Sequence, residues 1–254
     1  MKKLFLLAVA ASAAFAAYDS VYCIDAGDSI TLYVYQDGRV CFGTDLAGEA
    51  SYSEHGIVTR VASKRIQYDS QGRVRQVGSL TLQYDEKSRI ARVRGTRISY
   101  DKEGRVQRIG SAPVYYYSDG SVKRVRGGLA AFPAGFTPVL AFMARNDLIA
   151  LADSNGRFAY GLMGAGTVSY YDDGYVRSVG GVKVTLDSED RLARVGSASI
   201  SYDDDGSVIR IAGNKVSYDK EGRIISIGGS RLYYDDKGRV RKAGSGVQLV
   251  FRGN

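Results

Sequence analysis

Polar and apolar residues along this chain repeat with a period of 16. A tyrosine returns at every sixteenth residue in two blocks of five, and a leucine takes one tyrosine place in the second block: Tyr52, Tyr68, Tyr84, Tyr100 and Tyr116, then Tyr170, Leu186, Tyr202, Tyr218 and Tyr234. Self-similarity at a fixed period indicates tandem copies of one small structural unit. The chain therefore contains ten clear units.

The units share a consensus pattern around the tyrosine position, from which single units depart. An aliphatic residue lies two positions before it, Asp follows it, Gly stands at plus four, Arg is frequent at plus five, and aliphatic residues stand at plus six and plus nine. The segment IQYDSQGRVRQVG, residues 66–78, has all of these features. Because the plus-six residue is aliphatic in all ten units, the pattern is not a coincidence.

The pattern predicts a β-hairpin in every unit. β-branched and aromatic residues favour strands, Asp opens a turn by accepting backbone N–H bonds, and Gly supplies the positive φ of a type I turn with a bulge. We therefore expect an all-β fold: an antiparallel meander of tandem 16-residue β-hairpin repeats, curled or folded into two sheets. Positions plus six and plus nine differ by an odd number, so either the second strand is bulged or both faces are buried.

The sequence outside the repeats suggests how the array is arranged. Two degenerate units, VYQDGRV at 34–40 and ADSNGRF at 152–158, keep the turn and would bring the count near twelve. The apolar insertion at 128–165 either lets one block fold back on the other as a sandwich, or plugs an array that curls into an open barrel or spiral. Within it, the stretch after Thr137-Pro138 forms either a short helix or another hairpin. Its phenylalanines Phe132, Phe136 and Phe142 are predicted to fill a core; the alternative is an exposed loop that contacts a partner.

The first residues have the layout of a secretory signal peptide. Lys2 and Lys3 precede an apolar run that is too short to span a bilayer, and small residues follow, ending at Ala16. We expect cleavage after Ala16 and a periplasmic or secreted product that does not span the membrane. The predicted organisation is a signal peptide (1–16), N-terminal strands (17–51), five repeats (52–127), the insertion (128–165), and five repeats with a C-terminal strand (166–254).

Cysteine content and charge add two expectations. An exported chain with an even number of cysteines favours a disulfide, here between Cys23 and Cys41; the alternative is two buried small residues. The formal net charge is +8, and removal of Lys2 and Lys3 leaves +6, since no acidic residue is removed with them. Moderate basicity is compatible with phosphorylated or carboxylated envelope polymers as partners.

The motif Y-D-x-x-G-R-V, repeated over residues 34–244, resembles the YD repeats of the Rhs family of bacterial exported proteins. That resemblance implies β-hairpin spirals that act as shells or binding surfaces in an envelope or secreted setting. The units here are shorter than is usual for that family, and we expect no toxin domain, so the resemblance does not imply toxin delivery.

Few residues suggest catalysis. His55 is the single histidine and lies in a predicted turn, no His and Cys cluster suggests zinc, and no Ser-His-Asp context is present. The repeated turn aspartates could in principle bind calcium, but turn formation explains them more simply. We therefore predict a protein that is not an enzyme and has no cofactor or metal. The least favoured alternative is a carboxylate-based hydrolase near the insertion.

Two binding surfaces follow from the repeat. The tyrosines could stack on sugar rings, although core packing is the favoured interpretation. The candidate ligand-binding residues are the plus-five arginines, which we expect to be exposed: Arg73, Arg89, Arg105, Arg191, Arg223 and Arg239. The favoured function is a non-catalytic envelope scaffold with a protein partner; the alternative is a binding module for an anionic glycan. No nucleic acid partner is expected.

Overall fold

The structure is a computed structural model that describes residues 18–133, 135–144, 148–162, 166–172 and 175–253. The predicted signal peptide lies outside these ranges. The strands up to the end of the first repeat block are β1 (Tyr18–Asp25), β2 (Ile30–Tyr35), β3 (Val40–Asp45), β4 (Gly48–Tyr52), β5 (Val58–Val61), β6 (Lys64–Tyr68), β7 (Val74–Val77), β8 (Leu80–Tyr84), β9 (Ile90–Val93), β10 (Thr96–Tyr100), β11 (Val106–Ile109), β12 (Ala112–Pro113), β13 (Tyr115–Tyr116) and β14 (Val122–Val125).

The insertion and the second block contribute the remaining strands. They are β15 (Gly128–Pro133), β16 (Leu140–Met143), β17 (Leu148–Ala152), β18 (Phe158–Leu162), β19 (Gly166–Tyr170), β20 (Val176–Val179), β21 (Val182–Leu186), β22 (Leu192–Val195), β23 (Ala198–Tyr202), β24 (Val208–Ile211), β25 (Asn214–Tyr218), β26 (Ile224–Ile227), β27 (Ser230–Tyr234), β28 (Val240–Ala243) and β29 (Val247–Arg252). All pairings between the described strands are antiparallel, apart from one isolated parallel bridge between Ala47 and Ala243. The all-β hairpin meander is therefore confirmed.

The strands outside the ten units form a closed barrel. Its order is β1-β15-β18-β17-β16-β29-β3-β2, so the N-terminal segment, the insertion and the C-terminal strand assemble together. Strands β2 and β17 are buried along their whole length, on both faces. A strand that is covered on both faces needs apolar residues at successive positions, which ITLYVY and LIALA largely supply.

The ten units form a shell around this barrel. One sheet runs from β12 back to β4 and the other from β13 and β14 through β19 to β28. Strands β12 and β13 are separated by Val114 alone, and β28 lies beside β4. Inward-facing residues of both sheets share one apolar cluster with residues from all eight barrel strands. The array therefore curls around the barrel, and the insertion is part of what fills it.

Each hairpin carries a bulge that places both aliphatic positions on the inner face. In the first unit Tyr52 pairs with Val58, Ser51 with Arg60, and Ala50 with Val61, so one extra residue lies in the second strand. Val58 and Val61 are both buried as a result. This settles the question raised by the odd spacing of plus six and plus nine in favour of the bulge.

The turns have the expected chemistry. In the second unit the Gly72 N–H donates to the Asp69 carbonyl, the Asp69 N–H donates to the Arg73 carbonyl, and Gly72 has φ +77°. The same left-handed position is held by Ser88 in another unit, at φ +61°. A residue with a β-carbon is strained there, which explains why glycine is preferred.

The structure decides three expectations about the segments outside the repeats. The two degenerate units are hairpins, but β2-β3 and β17-β18 belong to the barrel, so the shell has ten units. The stretch after Pro138 is the hairpin β16-β17, not a helix. Phe132 and Phe136 are buried inside the barrel, so the exposed-loop alternative is wrong for them. Phe142 is partly buried against the surrounding cluster.

The predicted disulfide is wrong. Cys23 and Cys41 are free thiols buried in the barrel interior. Both pair with Tyr33, which lies on the strand between them. Two strand spacings amount to about 10 Å, whereas a disulfide needs α-carbons within about 7 Å. Burial raises the pKa of the Cys23 thiol to about 12 and that of Cys41 to about 11.

Candidate functional site

The plus-five arginines, predicted as a ligand site, are held within the shell. The Arg89 guanidinium lies 2.7 Å from the Asp85 carboxylate of its own turn and 3.9 Å above the ring of Tyr100 in the next unit. The same arrangement joins Arg73 to Tyr84, Arg105 to Tyr116, Arg191 to Tyr202, Arg223 to Tyr234, and Arg239 to Tyr52. Their side chains are 19% to 34% exposed, less than we expected.

The aspartate carboxylates of these turns are also used in hydrogen bonds within the turn. Asp69 accepts from the backbone N–H groups of Gln71 and Arg73 through Oδ1, and from the Arg73 side chain through Oδ2. Partial burial would raise the pKa of Asp69, but the hydrogen bonds from Arg73 and Gln71 outweigh it and hold the pKa below its usual value. A carboxylate with its oxygens used in this way is a turn element, which agrees with the simpler explanation of the repeated aspartates.

The nine tyrosines that recur at the 16-residue positions, here named the tyrosine ladder, also stabilise the fold. Each ladder hydroxyl donates to the carbonyl of the plus-six residue in the preceding unit, as Tyr68 does to Val58 at 2.6 Å and Tyr234 does to Ile224 at 2.6 Å. The rings are half-buried and pack against the apolar layer between shell and barrel. The favoured interpretation of the tyrosines as core residues is therefore supported.

The outer face of the shell presents a different set of cations. Positions minus three and plus eight point outward and carry twelve exposed Lys or Arg residues, here named the basic wall: Arg60, Arg65, Arg92, Arg97, Arg108, Arg124, Lys183, Arg194, Arg210, Lys215, Arg231 and Lys242. Across the minus-three, minus-one and plus-eight positions of the ten units, Glu49 is the one carboxylate. Among the described residues none of the twelve forms a salt bridge.

Three pairs in the basic wall place like charges directly opposite each other. Arg60 pairs with Arg65, Arg92 with Arg97, and Arg210 with Lys215. Like charges in register across neighbouring strands destabilise a sheet by roughly 0.2 to 1 kcal/mol per pair. The repulsion falls when an anion binds between the two side chains, so the arrangement suits a negatively charged ligand.

Two exposed aromatic rings lie within the basic wall. Tyr115 is 50% exposed and pairs with Arg124, and Tyr233 is 49% exposed and pairs with Lys242. An exposed ring beside a cation provides an apolar face and a positive charge at neighbouring positions. The outer surface thus combines a belt of cations with two aromatic platforms.

No protein-family model matches the sequence, and no curated protein is significantly similar to it. The shape of the molecule and the chemistry of its surfaces therefore carry the functional argument.

Other candidate groups offer little chemistry. His55 is exposed in the first shell turn. Within the described ranges no three His, Cys, Asp or Glu side chains cluster as metal ligands would, and no helix there has the length and apolarity of a membrane span.

The sequence prediction missed the basic wall, although a signal was present. Seven of the ten plus-eight residues and five of the ten minus-three residues are Lys or Arg. This regularity among the repeats is weaker than that of the Asp-x-x-Gly-Arg motif. Only the bulge shows that both positions point away from the barrel.

Proposed function

We propose that this protein is a non-catalytic, exported binding protein whose basic wall holds an anionic polysaccharide of the cell envelope. The observation that carries the proposal is the outward belt of twelve cations in which three like-charged pairs lie in register. The stability lost to this repulsion is recovered when a polymer of negative charges lies across the strands. The plus-five arginines have a structural role instead, because each contacts the aspartate of its own turn and the tyrosine ring of the next unit.

A sugar polymer is favoured over a protein partner by the two aromatic platforms. Tyr115 and Tyr233 can stack against the apolar faces of sugar rings while the opposed Arg124 and Lys242 contact carboxylate or phosphate groups. Export and a periplasmic or secreted location rest on the predicted signal peptide. Repeated β-hairpins are the architecture that the resemblance to YD-repeat proteins implies.

The test compares polymers of defined charge. The mature protein is mixed with polygalacturonate, with neutral dextran and with random-sequence duplex DNA, and bound protein is measured at low salt and at about 0.15 M salt. We expect binding to polygalacturonate that weakens with salt, and no binding to dextran. Equal or tighter binding to DNA would contradict a polysaccharide-specific surface.

Two matched variants locate the binding surface. The wall variant Arg60→Gln, Arg65→Thr, Arg92→Gln, Arg97→Thr uses residues that other units carry at the same positions, namely Gln76 and Thr81. The control variant Lys87→Gln, Lys102→Gln, Lys220→Gln, Lys237→Gln removes the same charge from the exposed turns. We expect the wall variant to bind polygalacturonate about tenfold more weakly and the control to bind normally. Equal losses in both variants would show an effect of net charge alone, and unchanged binding in the wall variant would leave a scaffold with a protein partner.

A further inference from the structure

The tyrosine ladder is interrupted at Leu186. A tyrosine in that place would donate to the carbonyl of Val176, ten residues earlier, as Tyr202 does to Leu192 and Tyr218 does to Val208. Leucine has no hydroxyl, so this bond cannot form. The place therefore loses both a hydrogen bond and the volume of a tyrosine side chain.

The arginine that would cover such a tyrosine is missing at the same junction. Six units place a plus-five arginine over the tyrosine ring of the unit that follows. In the unit before Leu186 the plus-five residue is Tyr175. At this junction Tyr175 therefore replaces the arginine of the stack and Leu186 replaces the tyrosine.

A cavity of about 480 Å³, here named the Leu186 cavity, lies at this junction between the shell and the barrel. Its apolar lining includes Leu129, Phe158 and Leu162 from the barrel and Val176, Leu186 and Leu192 from the shell. Val176 and Leu192 are only half-buried, whereas the plus-six residues of the other eight units are all buried. Ligand pockets commonly have volumes of about 300 to 1,000 Å³ and apolar linings with few polar groups.

One buried polar atom at the wall of this cavity is poorly satisfied. The Tyr160 hydroxyl oxygen is buried next to the Tyr202 hydroxyl, but the two do not have the geometry of a hydrogen bond. Burial raises the pKa of Tyr160 well above its usual value, and the neighbouring Tyr202 hydroxyl raises it further. The Tyr202 proton is already donated to the Leu192 carbonyl. A buried hydroxyl without a well-formed hydrogen bond is destabilising, so a ligand group that enters the cavity and bonds to Tyr160 would be favoured.

Four charged residues line the cavity, of which the two arginines are paired and the carboxylates Asp190 and Asp205 are exposed to solvent without a salt bridge among the described residues. Arg157 binds the Asp153 carboxylate at 2.7 Å, and Arg191 binds Asp187 at 2.9 Å. The rest of the lining combines apolar side chains with the polar residues Asn155 and Ser207 and the tyrosines. Both arginines are already paired and both unpaired carboxylates are hydrated, so a charged ligand would lose more hydration against the apolar side chains than these groups return.

We propose that the Leu186 cavity binds a small, uncharged amphipathic molecule, with its apolar body against Leu186 and Phe158 and one hydrogen-bonding group on the Tyr160 hydroxyl. This site is separate from the basic wall, which faces the opposite side of the shell, and it does not rest on the proposed polymer binding. The two can therefore fail independently.

The test uses N-phenyl-1-naphthylamine, a neutral fluorescent probe with an apolar body and one N–H donor. Leu186→Tyr restores the ladder residue and fills the cavity, while Thr185→Tyr adds the same side chain to the outward face of the same strand. We expect saturable binding to the natural protein and to the Thr185→Tyr variant, and at least tenfold weaker binding to the Leu186→Tyr variant. The Leu186→Tyr variant should also melt at a higher temperature.

Further variants keep the test decisive if Leu186→Tyr folds poorly. Leu192→Phe narrows the same cavity from the next strand and should weaken binding, and Tyr160→Phe removes the hydroxyl and should weaken it about three- to tenfold. Absence of saturable binding to the natural protein would overturn the proposal. Equal binding by the natural protein and by folded cavity-filling variants would also overturn it, because the probe would then lie elsewhere.

Discussion

Six of the ten shell units place a plus-five arginine between two partners of different chemistry. Arg89 forms a charge-assisted pair with Asp85 in its own turn and covers the ring of Tyr100 in the next unit. The planar guanidinium can do both because its edge carries the N–H donors and its face stacks on aromatic rings. One side chain thus fixes the turn of one unit and the position of the next.

Loss of this arginine should affect stability more than binding. We expect Arg89→Ser to lower the free energy of unfolding by about 1 to 2 kcal/mol, since it removes a partly buried ion pair and a cation–π contact. Lys87→Ser, in the same turn and exposed, should change it by less than about 0.5 kcal/mol. Urea denaturation measures both. If Arg89→Ser instead abolishes polygalacturonate binding at unchanged stability, the plus-five arginines are the ligand site after all.

At the scale of the element, the hairpin is defined by its bulge. The bulge brings plus six and plus nine to one face, so a four-residue strand buries two aliphatic side chains, as Val74 and Val77 show. The tyrosine of the next hairpin, Tyr84, then donates its hydroxyl proton to the carbonyl of Val74, the plus-six residue of this hairpin. The turn and the aliphatic pattern were predictable from sequence, but the direction of the hydroxyl was not, because the acceptor lies on another hairpin.

The ladder hydroxyls should make the fold sensitive to alkali. Burial raises the pKa of Tyr68, Tyr218 and Tyr234 to about 12, above the unfolded value of about 10. A raised folded pKa contributes stability that is complete below pH 10 and is lost as the pH rises towards 12. We expect phenolate absorbance of the ladder to appear only near pH 12, together with loss of the β-sheet circular dichroism signal. Ionisation of the ladder near pH 10 in a folded protein would contradict this.

At the scale of the whole molecule, the shell closes on itself. The Tyr52 hydroxyl donates to the Val240 carbonyl at 2.6 Å, and Arg239 lies 4.3 Å above the Tyr52 ring, so the tenth unit contacts the first as any unit contacts its successor. Arg241 and Glu49 add an exposed ion pair at 3.3 Å. These contacts cover the edges of β4 and β28, which lie in separate sheets, and a covered edge is less prone to aggregation than a free one.

The barrel is tied to the shell at its turns and its C-terminal end. Backbone N–H groups of Val74, Ile90 and Val106 donate to carbonyls of Gly253, Gly38 and Gln36. The Tyr22 and Tyr116 hydroxyls are 2.7 Å apart across the same interface. These bonds fix how the shell is placed on the barrel, which apolar packing alone would leave adjustable.

The seam between β28 and β4 should be the first part of the shell to open, since the two strands lie in separate sheets and, unlike β12 and β13, are not joined directly by the chain. Tyr52→Phe removes the bond to Val240 across the seam, and Tyr218→Phe removes the equivalent bond to Val208 within a sheet. Each should cost about 1 kcal/mol, but only Tyr52→Phe should accelerate amide hydrogen exchange in β4 and β28. Equal local exchange in the two variants would show that the seam is as strong as the rest of the shell.

The sequence by itself determined the repeated hairpins, their turns and the all-β fold, because these depend on local preferences and on spacing within 16 residues. It did not determine which segments pair over long distances. The barrel joins strands from both ends of the chain and the insertion, and the Cys23–Cys41 prediction failed because Tyr33 lies between the two thiols. Tertiary structure also decided the basic wall and the Leu186 cavity. The basic wall depends on which face of the shell is turned outward. The cavity depends on the barrel residues that lie opposite Leu186, where the tyrosine ring of the repeat is absent.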